Sequence, residues 1–226
     1  MASSPLVLRH PERIHPALWR ATQLARPARP TVATGFPSLD HALPGQGWPI
    51  GQLIELMAER PGCGELQLFK PALRSQTQRN IVLVHPPHPP CFQAWAHNQL
   101  APERLLWVQP SSTADALWAT EQILRHNTSA AVFCWAHPIH HASLRRLHLL
   151  AQQNDGLCIV LRPAHVRKQA SAAALRLALQ PCSSGIQLHI VKRQGALCSA
   201  PLILQLYPAH RASVVRHAAM DMPEMA

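Results

Sequence analysis

Apolar residues fall in short blocks separated by stretches of helical length. Residues 52–57 (Gln-Leu-Ile-Glu-Leu-Met) follow the turn residues Gly45, Gly47, Pro49 and Gly51 and predict a strand. Residues 65–78 predict a helix with Leu66, Phe69 and Leu73 at helical spacing, although Pro71 opposes it. Continuous apolar runs at 81–84, 105–108, 130–135 and 157–161 predict strands buried on both faces. The intervening segments 92–100, 113–126 and 143–153 predict helices. Leu117, Trp118, Ile123 and Leu124 supply the apolar residues of the second, and Leu144, Leu147 and Leu150 one face of the third. Such alternation specifies the α/β class, a mostly parallel sheet flanked by helices. Beyond residue 172 the segments 175–179, 185–192 and 201–206 read as hairpin strands, antiparallel, at the C-terminal edge of that sheet.

The pattern divides the chain into three parts. Residues 1–33 form a basic, Pro- and Arg-rich arm with a short helix expected at about 16–25. Residues 34–207 form one core domain, which suits a chain of 226 residues, and residues 208–226 form a tail that need not pack.

Charge adds a feature that the pattern does not. The formal net charge is +10, and no Asp or Glu occurs between Asp155 and Asp221. Arg162, Arg167, Lys168, Arg176, Lys192 and Arg193 all lie in that gap. An acid-free basic stretch attracts phosphate, whether of nucleic acid or an acidic partner. Arg-rich codon usage together with a solvated face accounts for it equally well. There is no long apolar h-region at the N-terminus and no run of 18 apolar residues, so the chain is expected to be cytoplasmic, with no membrane contact. The cysteines show no C-x-x-C pair, and Cys134 and Cys158 sit inside strand-like runs as small buried hydrophobes.

The first strand leads into Ala58-Glu-Arg-Pro-Gly-Cys-Gly-Glu65 and then a helix, the position of a phosphate-binding loop. A working loop ends in G-K-[ST]. Its glycines let backbone N–H groups wrap the phosphates, its Lys reaches the outer phosphates and its hydroxyl holds Mg²⁺. Here Gly62 and Gly64 remain, Glu65 stands at the Lys position and Leu66 at the hydroxyl position. Like charges about 4 Å apart repel by about 4 kcal/mol at an effective dielectric near 20. Trp135 stands where a working site carries its second, acidic motif. The loop is therefore read as degenerate, with no nucleotide cofactor and no hydrolysis expected.

Thr34-Gly-Phe-Pro-Ser-Leu-Asp40, Gly45-x-Gly47-Trp-Pro-x-Gly51 and Leu53-Ile-Glu-Leu56 together resemble the opening of the RecA recombinase core. Gly62-Cys-Gly-Glu-Leu66, Trp135, Leu144-Arg-Arg-Leu147 and Arg162-Pro163 are similar to ImuA, a RecA-like and SulA-like accessory family of translesion synthesis. The resemblance covers roughly residues 34–207. It implies a RecA-like fold and a non-catalytic role in SOS-induced, error-prone copying of damaged DNA. The partners it implies are RecA, an ImuB-like Y-family polymerase homologue and DNA. It also implies an alternative, a SulA-like division inhibitor acting on FtsZ. The recombinase loop after the strand matching 157–161 contacts DNA, so Arg162, Arg167 and Lys168, with Lys192 and Arg193, are the candidate DNA or partner contacts.

Other clusters carry weaker chemistry. His85, His88, Cys91 and His97 have a spacing zinc can use, but the prolines between the first three make a stiff segment that does not converge ligands easily. His137, His140 and His141 read as a His-rich surface loop, and no metal is assigned. No G-x-S-x-G elbow or paired carboxylates appear, which leaves an enzyme few acid–base candidates. Of the tryptophans, Trp48, between glycines and a proline, is expected to be the most exposed.

Overall fold

The computed structural model describes residues 30–76, 78–195 and 200–206. The expected helix at 16–25, nearly all of the basic arm and the tail 208–226 lie outside the described residues. The elements are β1 (Thr31–Val32), α1 (Pro37–Ala42), β2 (Trp48–Pro49), β3 (Leu53–Ala58), α2 (Glu65–Ser75), β4 (Asn80–Val84), α3 (Phe92–His97), β5 (Leu105–Val108), α4 (Thr113–His126), β6 (Ser129–Trp135), α5 (His141–Ala151), β7 (Leu157–Pro163), β8 (Leu175–Cys182), β9 (Gly185–Lys192) and β10 (Leu202–Leu204).

Eight strands form one sheet in the order β10-β9-β8-β3-β7-β6-β4-β5. The pairs from β8 through β5 are parallel. β9 and β10 add antiparallel strands at the C-terminal edge. The chain is thus a mixed α/β protein with a mostly parallel sheet flanked by helices. One expectation needs refining: β8 does form a hairpin with β9, but it also pairs in parallel with β3 (Glu55 opposite Arg176), so it lies inside the sheet.

Alternation along β3 assigns the two faces of the sheet. Ile54 and Leu56 pack with Leu68 and Phe69 of α2 and Trp95 of α3. Leu53 packs on the other face with Leu117 and Leu124 of α4 and Leu144 and Leu147 of α5. The opening turn is tied down by Asp40, whose Oδ1 accepts the Thr34 N–H at 2.8 Å. Gly35 is required there: its φ is +83°, and a Cβ would lie 2.3 Å from the Pro71 side chain. Pro71 sits inside α2 without ending it, and this close packing gives it a place in the fold.

Trp48 corrects the sequence reading. It is fully buried, stacked on Phe69 with ring centroids 4.4 Å apart. Phe69 meets Phe133 edge-on at 5.4 Å, and Phe133 lies 6.3 Å from Trp135. A line of rings therefore runs from β2 to the carboxyl end of β6. Trp118, one of the apolar residues of α4, is 63% exposed.

Candidate functional site

The loop between β3 and α2 turns on two glycines and is closed by the side chain of Glu65. Gly62 and Gly64 have φ of +83° and +101°, left-handed values that favour glycine. Glu65 is the first residue of α2 and is 5% exposed. Its Oε1 accepts the Gly62 N–H at 2.7 Å, while its buried Oε2 has no hydrogen-bond partner. A carboxylate at a helix N-terminus is favoured by the helix dipole, so this arrangement is locally comfortable. It removes one of the amides a phosphate would use and puts negative charge beside the others. Leu66, the next residue, packs against the core.

Beside the loop lies a cavity of about 360 Å³ at the carboxyl ends of β3, β4, β6 and β7. In open α/β sheets this crevice is where ligands bind. Pro86, Pro87, Trp135 and Leu161 give it apolar walls, and Glu59 and Glu65 bring carboxylates. The Trp135 Nε1–H is buried without an acceptor. His137, on the same wall, has its pKa lowered by burial first, then by His165, whose ring centroid is 5.0 Å away, and by Arg162.

Behind the cavity is a polar cluster that sequence reasoning missed. Glu55, at the middle of β3, is fully buried. Its Oε1 accepts from Arg162 Nη1 at 2.8 Å and its Oε2 from Arg176 Nε at 2.7 Å. Arg176 also donates to the carbonyls of Val166 and Arg167, tethering the 3-10 turn Ala164–Lys168 over the sheet. Burial pushes the Glu55 pKa up, but hydrogen bonds from Ser171, Arg176 and Arg162 outweigh it and the net shift is downward. A signal was available. Glu55, Arg162 and Arg176 each interrupt or end an apolar strand, and buried opposite charges must pair.

This cluster corrects the candidate contact set. Arg162 is 4% exposed and held by Glu55 and Gln169, so it is not a surface contact. Arg167 and Lys168 are exposed on the 3-10 turn. Lys192 donates to the Ser171 carbonyl at 3.0 Å, and Arg193 to the Ala42 carbonyl. Among the described residues no group of three or more His, Cys, Asp or Glu is arranged to hold a metal ion, and no helix is long and apolar enough to cross a membrane.

No protein-family model and no curated protein matches the chain. Among solved structures it is similar to SulA from Pseudomonas aeruginosa, at 28% identity and a TM-score of 0.39, over 48% of this chain and 97% of SulA. The overlap is partial.

Proposed function

We propose that this chain is a non-catalytic accessory protein of SOS-induced, error-prone translesion DNA synthesis, bridging RecA or DNA and an ImuB-like Y-family polymerase subunit. The observation that carries the non-catalytic part is the bond from the Gly62 N–H to Glu65 Oε1. A loop that closes on its own carboxylate offers no cation to a triphosphate, and Leu66 offers Mg²⁺ no oxygen. The likeness to the RecA core in the opening turn, and to ImuA in the degenerate loop, Trp135 and Arg162-Pro163, supports the rest. In this reading a RecA-like scaffold, released from nucleotide chemistry, works through its surfaces. Arg167 and Lys168 on the 3-10 turn are suited to phosphates or to an acidic partner, and such contacts give affinity without sequence choice.

Affinity capture of the tagged full chain from DNA-damaged cells tests the reading. RecA and an ImuB-like protein are expected in the bound fraction, and the absence of both overturns the bridging role. Phosphate release with single-stranded DNA present tests the other half: steady turnover abolished by Gly64→Val defeats the non-catalytic reading. Arrest of FtsZ assembly by the purified chain would move the function to a SulA-like division inhibitor.

A further inference from the structure

Three residues lining the cavity at the carboxyl edge carry a buried polar atom without a partner, one acceptor and two donors, the second donor being Arg162 Nε–H. Glu65 Oε2 is a buried acceptor without a donor, and Trp135 Nε1–H a buried donor without an acceptor. A buried polar atom left in that state bears its full desolvation penalty. Glu65 is 5% exposed, and its other oxygen is anchored on Gly62. The terminal torsion of a Glu side chain is broad, so a small rotation brings Oε2 onto a donor in the cavity. The charges on the wall have a sign as well: Glu59 and Glu65 against Arg162, whose Nη1 is paired with Glu55 and Nη2 with Gln169 while its Nε–H remains open to a carbonyl.

We propose that this cavity binds an arginine residue presented by a partner's peptide segment. The guanidinium donates to Glu65 Oε2 and lies against the ring of Trp135, and the residue's own amide carbonyl accepts from Trp135 Nε1–H. Three features select this occupant. A weakly hydrated planar cation suits an aromatic and proline-lined wall better than an ammonium does. A free polyamine has no acceptor for the indole N–H, whereas a peptide carries both groups. A phosphate meets the Glu65 carboxylate. The site thus keeps the place of a nucleotide pocket with its charge preference reversed.

This inference rests on the non-catalytic reading of the site, and its test is separate from the capture experiment. The ¹⁵N-labelled full chain is titrated with N-acetyl-arginine methylamide while the Trp135 indole N–H resonance, assigned with Trp135→Phe, is followed. The expected result is a saturable shift. Binding should weaken by roughly tenfold or more with the citrulline analogue, and likewise in Glu65→Gln, because one charge-assisted hydrogen bond is lost. Glu65→Gln keeps an oxygen for the Gly62 N–H, and an unchanged urea midpoint shows that the loop is intact. Agmatine, which lacks the carbonyl, should bind more weakly than the arginine amide. Equal binding of the lysine analogue overturns the guanidinium assignment. A stronger response to Mg·ATP, or no saturable shift with the arginine amide, overturns the site. If the amide binds while RecA and the ImuB-like protein fail to be captured, only the bridging role falls.

Discussion

Two buried glutamates, one on β3 and one at the start of α2, show how burial leads to different roles. Glu55 is surrounded: both oxygens are bonded to guanidiniums, and those guanidiniums hold the turn after β7 in place. Glu65 is as shielded from solvent, yet only one of its oxygens is used. The first carboxylate is complete within the fold. The second is complete only on the side facing its own loop. Equal burial therefore marks a structural group in one place and a group prepared for a visitor in the other, and the difference lies in hydrogen-bond satisfaction.

The largest effect expected from this contrast is at Glu55. Glu55→Leu strands two buried guanidiniums and should cost about 3–5 kcal/mol, measured as a fall in the urea unfolding midpoint or as failure to fold. Replacing all three residues, as Glu55→Leu with Arg162→Met and Arg176→Met, should recover part of that loss, since no unpaired charge remains. Recovery is incomplete because Arg176 also serves the carbonyls of Val166 and Arg167. No recovery at all would mean that the cluster acts mainly through packing.

The next effect is in acid. The folded pKa of Glu55 is depressed, so its contribution is fully present above the unfolded carboxylate value near 4.5 and is lost as pH falls through the lower folded value. His137 acts in the same direction at higher pH. Its folded pKa is also lowered, so stability declines as pH drops below the unfolded value near 6.5, where only the unfolded chain takes up the proton readily. Urea midpoints should therefore fall as pH drops towards 3 mainly through Glu55, with the exposed His137 adding only a slight decline below about pH 6.5 that His137→Gln removes.

The smallest effects belong to Glu65. Glu65→Leu deletes the acceptor for Gly62 and should cost about 1 kcal/mol, the size of a lost helix cap. Glu65→Gln should change stability by less than about 0.5 kcal/mol. A Glu65→Gln loss as large as that of Glu55→Leu would erase the contrast between the two sites.

Much of the sheet could be read directly from the sequence. Continuous apolar runs such as 81–84 and 157–161 became central strands, because a strand covered on both faces has no polar side to show. The glycines and the acid between β3 and α2 could also be read there, since Gly62 to Glu65 are close neighbours in the chain, and the structure places them in left-handed turns and at the start of α2. Trp48 and Arg162 were misplaced for one shared reason. Glycines and prolines around Trp48 describe a turn and are silent about Phe69, which covers it. A basic segment around Arg162 describes charge and is silent about Glu55, more than a hundred positions earlier and adjacent in space.

Local pattern and local chemistry, then, settled the α/β class, the order of elements and the acid at the start of α2, because each is encoded in periodicity or in adjacent residues. Tertiary structure alone decided which charges meet, which aromatic rings stack, and that Glu65 is left with a spare oxygen beside Trp135. Those outcomes depend on strand order, which brings β3, β7 and β8 side by side across long stretches of chain, and no short-range pattern records which strands become neighbours.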